Sequence, residues 1–214
     1  MNVGQRMTRN PITITPDMSV PDAQALMRKE KIRRLPVLDK NGKLVGIVTA
    51  RDLIHASPSP ATSLDMYELH YLLSKLKVEK VMSHPVITVT EDLPIEEAAR
   101  IMADNNISGL PVMRGEVLVG IITESDLFKL FIELFGARHQ GIRLTVLLPE
   151  KRGELAEVSS AIAKNGGNII SLATFEGEDP TNSYCTIKVN GIDRETLLDV
   201  ITPLVTRIVD IRES

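Results

Sequence analysis

A mixed α/β fold is predicted, with a duplicated α/β unit followed by a smaller unit of βαββαβ order, and three observations carry that prediction. The first is an internal repeat: Leu35-Pro36-Val37, then Leu44-Val45-Gly46-Ile47-Val48-Thr49-Ala50-Arg51-Asp52-Leu53, returns as Leu110-Pro111-Val112, then Leu118-Val119-Gly120-Ile121-Ile122-Thr123-Glu124-Ser125-Asp126-Leu127. The second is its register, since Met7 and Met82, Thr13 and Thr88, Ile32 and Ile107, and Leu35 and Leu110 are each 75 residues apart, while one deletion near Asn41 brings Gly46 and Gly120 to 74. The third is a change of pattern at Ile142, after which the repeat does not recur. A repeat that cannot bury its apolar face alone packs against its copy, so the two copies are expected to make one domain.

Bulk properties narrow the function. The 214 residues suit two domains at ~100 to 200 residues each. A net charge of −3 and a pI near 5.9 argue against general nucleic-acid binding by phosphate neutralisation. Cys185 is the sole cysteine, which suits a reducing compartment. Apolar runs such as 117–122 fall far short of the ~20 residues of a membrane span, and Met1 to Arg6 has no signal-peptide core, so a cytoplasmic location without a membrane span is expected.

The elements follow in order. Residues 12–15 alternate apolar and Thr, as in a short strand, and Ser19-Val20-Pro21-Asp22 has the form of a capping box opening a helix whose face Ala23, Leu26, Met27, Glu30 is expected in the core. Residues 35–38 and 44–48 are two strands joined through Asn41-Gly42, a strong hairpin signal. Thr49-Ala50-Arg51-Asp52 is a second capping-box pattern before a helix containing Leu53 and Ile54. Two prolines, Pro58 and Pro60, make residues 57–63 a loop, and Met66, Leu69, Leu72, Leu73 and Leu76 then fall at helical spacing, with Tyr67, His70 and Tyr71 on the same helix. Residues 78–135 replay the first copy and end in a helix over 125–135, where Phe128, Phe131, Leu134 and Phe135 offer a contact surface; Gly136 stops it and 136–141 is the linker. Strands at 142–148, 168–175, 184–189 and 206–211 with helices at 154–164 and 194–204 give the βαββαβ order of a ferredoxin-like arrangement. The expected domains are thus 1–77 and 78–135, the two repeats, and 142–214 after the linker.

The sequence of Met7-Thr8 or Met82-Ser83, Ile12-Thr13-Ile14-Thr15 or Ile87-Thr88-Val89-Thr90, a helix, Leu-Pro-Val, and Val-Gly-Ile-x-Thr-x-x-Asp-Leu resembles the CBS domain, present as a tandem pair over residues 1 to about 135. That resemblance implies an adenosyl ligand, an adenine nucleotide (AMP, ADP or ATP) or S-adenosylmethionine, in the cleft between the repeats. The residues it implies are Thr13, Arg34, Thr49, Arg51, Asp52, Thr88, Thr123 and Asp126. A carboxylate can accept from both ribose hydroxyls, and a threonine hydroxyl with free helix N-terminal amides suits phosphate. Thr-x-x-Asp is equally a capping box, and a capping role alone would explain it. Arg9, Arg33, Arg34 and Arg51 align with His84, Ser108, Gly109 and Ser125, so four cations are absent from the second copy; if they line the cleft, phosphate belongs on the first repeat's side.

The remainder resembles the ACT domain, through Glu150-Lys151-Arg152-Gly153-Glu154-Leu155 and Asn165-Gly166-Gly167-Asn168-Ile169, with Arg152 where that pattern usually has proline. It implies assembly or amino-acid sensing, with Gly153 and Asn168 as the amino-acid contacts; a helix C-cap and a strand entry explain Gly166-Gly167 and Asn168 equally well. The combination is similar to the acetoin-utilisation AcuB-like proteins. No P-loop, nucleophile elbow or paired acid is present, and His55, His70, His84 and His139 have no metal-ligand spacing, so no catalytic and no metal residues are expected. The reading is a non-catalytic regulatory sensor, a homodimer by its sheet edges, against two rivals: a ligand-free oligomerisation module and an enzyme with a site between subunits.

Overall fold

The computed structural model describes residues 1–56 and 75–213. The expected loop at 57–63 and most of the helix expected at 66–76, with Tyr67, His70 and Tyr71, lie outside the described residues. The chain forms two compact units, Met1–Leu127 and Phe128–Ser214.

In the first unit the first copy comprises α1 (Val20–Glu30), β2 (Arg34–Leu38), β3 (Leu44–Thr49) and α2 (Ala50–His55), preceded by β1 (Thr8–Arg9). The second comprises β4 (Val89–Thr90), α3 (Ile95–Asp104), β5 (Gly109–Arg114), β6 (Val117–Thr123) and the start of α4 (Glu124–Leu134). Asn41-Gly42 turns β2 into β3 as expected: Gly42 has φ 79°, and Asp39 Oδ1 accepts from the amides of Asn41 and Lys43 at 2.9 Å each. Leu35, Leu110, Val37 and Val112 are fully buried on the matching strands.

The lead-in to each copy is built into the other. β1 pairs with β6 (Thr8 with Ile121, Arg9 with Gly120), and in the equivalent exchange Ser83 pairs with Ile47 of β3. The Val3 amide donates to Leu93 O and the Val78 amide to Met18 O, both at 2.9 Å, and both valines are fully buried. A Cβ on Gly46 would stand 2.3 Å from Met82 Sδ, and one on Gly120 would stand 2.3 Å from Met7 Sδ, so each glycine makes room for the other copy's methionine. Val78 accordingly belongs to the cluster of Ile14, Val20, Ala23, Met27, Leu35, Val37, Val48 and Leu53. Neither core is complete without residues from the other repeat.

Two expectations are corrected here. The strand at 12–15 reduces to a single bridge, Ile14 with Val37, because Pro11 and Pro16 flank it and neither has an amide to extend the ladder. Glu30 is exposed at the end of α1, whereas Ala23 and Met27 are buried and Leu26 packs on the core; the apolar stripe stops one turn earlier.

The second unit runs β7 (Ile142–Pro149), α5 (Glu154–Lys164), β8 (Asn168–Glu176), β9 (Asn182–Asn190), α6 (Arg194–Ile201) and β10 (Arg207–Glu213), in the βαββαβ order. Its antiparallel sheet has the order β10-β7-β9-β8, so β10 and β8 are edges. One face carries Leu144, Val146, Leu148, Cys185, Ile187 and Val189, which pack with Val158 and Ile162 of α5 and Leu197 and Ile201 of α6. The helix expected to reach 204 ends at Ile201 and continues as a 3-10 turn over Thr202–Leu204 that holds Pro203.

Candidate functional site

Both Thr-x-x-Asp elements bond the threonine to the aspartate at a helix start, and the first closes a full capping box. The Thr49 amide and hydroxyl both donate to Asp52 Oδ2 at 2.8 Å, and the Asp52 amide donates to Thr49 Oγ1 at 3.3 Å. The Thr123 amide and hydroxyl donate to Asp126 Oδ2 at 3.0 and 2.7 Å. Capping is therefore a realised role of both pairs. In the first pair both bonds fall on Oδ2, and among the described residues no hydrogen bond to Asp52 Oδ1 occurs.

Their surroundings differ. A cleft of about 400 Å³ is lined by Thr49, Ala50, Arg51 and Asp52, by Arg33 and Arg34 from the entry to β2, and by Ser83, Asn106, Ser108, Gly109 and Glu124. Arg33 Nη2 donates to Ser125 Oγ and Arg51 Nε to His55 Nε2, each at 3.4 Å. Burial, and after it the charge of Arg33, lowers the Arg34 guanidinium from its ordinary pKa, while Glu124 and Asp126 act in the opposite sense. None of these three arginines forms an ion pair with a carboxylate among the described residues, although Arg100, Arg114, Arg143, Arg207 and Arg212 each do.

Arg34 and Gly109 occupy equivalent positions of the two copies. A Cβ on Gly109 would lie 2.9 Å from Arg34 Cδ and Nε. A side chain at position 109 would thus begin against the Arg34 stem, which would have to shift to admit it.

Of the residues expected at the site, the structure brings Arg34, Thr49, Arg51 and Asp52 together. Thr13, Thr123 and Asp126 do not line this cleft, and Thr88 lines a separate apolar cavity of about 730 Å³ with Leu44, Val45, Pro85, Val86, Leu93, Ile101 and Met113. The two cavities draw on the same two stretches of chain, 43–52 and 83–90. Arg9, one of the four arginines missing from the second copy, is elsewhere: its Nη2 donates to Gly4 O at 2.9 Å, because β1 is paired with the second copy's sheet. Ser83, which the motif contains, and Asn106 and Glu124 were not among the residues expected to bind. Their only signal was the repeat offset, which makes Asn106 the partner of Lys31, both at positive φ where a helix ends.

In the second unit Gly153 begins α5 at φ 92°, exposed, and Asn168 enters β8 with its Nδ2 donating to Asn190 Oδ1 at 3.2 Å. They stand at opposite ends of an 11-residue helix, roughly 16 Å long at 1.5 Å per residue, so the structure does not bring them together. A cavity of about 680 Å³ beside the α5 start is lined by Glu150, Glu154, Glu176, Asp179 and Phe175 and includes neither. Burial pushes the Cys185 thiol up to about 11, which leaves it protonated and unreactive near neutrality. Among the described residues no group of His, Cys, Asp and Glu could hold a metal ion, and no helix is long and apolar enough to cross a membrane.

Comparison with known proteins points at the duplicated unit. The family model of the CBS domain matches residues 3–59 and 78–133. The CBS pair of protein MJ0100, solved with 5′-methylthioadenosine and S-adenosylmethionine, is 32% identical with a TM-score of 0.52, over 65% of this chain and 98% of that one. The protein assigned to acetoin utilization (AcuB) of Vibrio cholerae is 35% identical with a TM-score of 0.53, over 64% and 95%. CBSX2 solved with AMP is 33% identical with a TM-score of 0.50, over 61% and 96%. Among curated relatives, MJ1404 of Methanocaldococcus jannaschii is 36% identical over 156 residues, which are 71% of this chain and 37% of that protein. The matched stretch is thus about a third of that relative's length.

Proposed function

The chain belongs to the CBS-domain family, and from that premise we propose that it is a non-catalytic regulatory sensor whose CBS pair binds an adenosyl ligand in the cleft of Arg33, Arg34, Thr49, Arg51 and Asp52. The observation that carries the reading is the convergence on one cleft of a carboxylate with a free edge and three guanidinium groups that have no ion pair among the described residues. Asp52 Oδ1 serves the ribose hydroxyls, the cations serve the 5′ end, and the neighbouring apolar cavity at Leu44, Val45, Pro85 and Val86 offers a surface for the base. The binding of adenosyl compounds by MJ0100 and CBSX2 supports the ligand class. A ligand held against both repeats favours one arrangement of the interlocked pair, and that differential affinity is what a regulated partner would read.

We further propose that the βαββαβ unit is an ACT-like module for assembly or amino-acid sensing, working in the cytoplasm as a homodimer. Its edge strands β10 and β8 carry unpaired backbone groups, and Phe128, Phe131 and Leu134 of α4 are 57 to 67% exposed, which supports self-association. The link to acetoin metabolism rests on the likeness to the Vibrio cholerae protein.

The test is a thermal melt with AMP, ADP, ATP and S-adenosylmethionine. A ligand at one hundred times its Kd should stabilise the native state by ~2.7 kcal/mol. No shift with any of the four at millimolar concentration removes the sensor reading and leaves the oligomerisation module.

A further inference from the structure

We propose that Asn190, at the end of β9, is a site of spontaneous covalent modification, where its side chain closes onto the Gly191 amide and reopens as aspartate or isoaspartate. Three asparagines of the chain precede glycine, at Asn41-Gly42, Asn165-Gly166 and Asn190-Gly191. Glycine lacks the side chain that would keep the following amide away from an asparagine Cγ, so each pair meets the covalent requirement. All three asparagines are exposed, and the glycines have φ of 79°, 83° and 77°. Exposure and backbone angle therefore do not rank the pairs; hydrogen bonding does.

The first two pairs are tied at the atoms that must move. The Gly42 amide donates to Asp39 O at 2.9 Å, and Asp39 Oδ1 holds the amides of Asn41 and Lys43 on either side. The Gly166 amide donates to Ala163 O at 3.2 Å, and Asn165 Nδ2, the nitrogen that would leave, donates to Ala161 O at 2.9 Å. At the third pair neither nitrogen is held: among the described residues no hydrogen bond from the Gly191 amide or from Asn190 Nδ2 occurs. The side-chain bond that Asn190 does make falls on Oδ1, which accepts from Asn168 Nδ2 at 3.2 Å. A donor there favours the oxyanion that forms as Cγ is attacked.

The step conserves atoms. The Gly191 nitrogen loses its proton and bonds to Asn190 Cγ; the Cγ–Nδ2 bond breaks, and Nδ2 leaves as ammonia from a closed cyclic imide. Water then adds to either imide carbonyl. At Cγ it gives aspartate, and at the main-chain carbonyl it gives isoaspartate, in which the chain runs through the side chain. Aspartate keeps an oxygen for the Asn168 donor and adds a negative charge. Isoaspartate lengthens the turn by a methylene where space is short, since a Cβ on Gly191 would stand 2.8 Å from Gly166 O. The modification thus acts where β8 begins and β9 ends.

The experiment is incubation of the full chain at mildly alkaline pH, in buffer and in denaturant, with peptide mass spectrometry following the replacement of ammonia by water at the three pairs. In the folded chain Asn190 should convert roughly tenfold faster than Asn41 or Asn165, as expected where two or more ordinary hydrogen bonds guard the others. In denaturant the three rates should draw together. An Asn190→Gln chain should lose the fast conversion and keep the slow ones. Equal rates in the folded chain, or a lead at Asn41 or Asn165, overturns the proposal. An Asn190 lead of the same size in denaturant overturns it too, because the neighbouring residues alone would then be the cause.

Discussion

The first and second copies share one backbone and part company at a few side chains. Thr49 with Asp52 and Thr123 with Asp126 make the same threonine-to-aspartate bonds at the start of a helix, at nearly the same distances. Around the first box stand Arg33, Arg34 and Arg51; the equivalent positions of the second hold Ser108, Gly109 and Ser125. What is common to the copies is a device of folding, since each has a helix to cap and a hairpin to turn. What differs is what could tell ligands apart. At Arg34 and Gly109 the two positions also approach each other, so that a side chain at 109 would displace the Arg34 stem.

The equivalence of the cores can be tested with the largest effect. Leu35 and Leu110 are both fully buried at matching positions, so Leu35→Ala and Leu110→Ala should each cost about 2 to 5 kcal/mol in denaturant melts. Because Val3 and Val78 belong to opposite copies, both losses should appear in one transition of the first unit. Separate transitions for the two variants would break the interlocked picture.

The asymmetry is sharpened by Asp52→Asn beside Asp126→Asn. Asparagine keeps an oxygen for the cap, so each helix start should lose about 1 kcal/mol or less, whereas Asp52→Asn gives up charge-assisted bonds worth about 1.5 to 3 kcal/mol of nucleotide affinity. Asp126 does not line the cleft, and its variant should do less to phosphorylated ligands. If Asp52→Asn melts lower yet binds nucleotide as wild type does, capping was the whole role of the first pair.

A third pair probes the exchanged methionines. Gly46→Ala and Gly120→Ala overpack against Met82 and Met7 and should each cost about 1 to 3 kcal/mol. Gly120→Ala should be the worse, since a Cβ there also meets Thr8 O at 3.1 Å, and backbone yields less than a methionine tip. The reverse order in thermal melts would count against the crossing of β1 into the second copy's sheet.

The smallest effect separates the hairpins. The amides of Lys43 and Asn41 hold the Asp39 carboxyl below its usual range, while Gly115 turns the second hairpin with no such acid. A depressed carboxylate stabilises above its unfolded pKa of about 3.9 and loses that contribution as pH falls through the lower folded value. Asp39→Asn should therefore flatten the fall in melting temperature below about pH 4; an unchanged slope would show the turn to be indifferent to that charge.

Most of the fold was legible because its signals are local. The hairpin at Asn41-Gly42, the box at Thr49 and Asp52, and the stop at Gly136 each depend on residues within a few positions of one another. The strand at 12–15 misread a local alternation whose ladder needed amides that Pro11 and Pro16 could not extend. The site was legible in its motif residues and not in Ser83, Asn106 and Glu124, which reach the cleft only through pairing of the copies. Gly153 and Asn168 were expected to contact one ligand through a family pattern, and the helix Glu154–Lys164 lies between them in the chain.

By itself the sequence determined the duplication, the register of 75, the order of elements and the capping chemistry, because periodicity, turn residues and cap spacing act over short stretches of chain. Only the tertiary structure decided that each lead-in crosses to the other copy, that Arg9 leaves the cleft while Arg33, Arg34 and Arg51 share it, and that Gly109 yields its place to Arg34. Those facts depend on distances between residues far apart in the chain, Arg34 and Gly109 by 75 and Thr8 and Ile121 by 113, and such distances exist only once the two interlocked cores have closed.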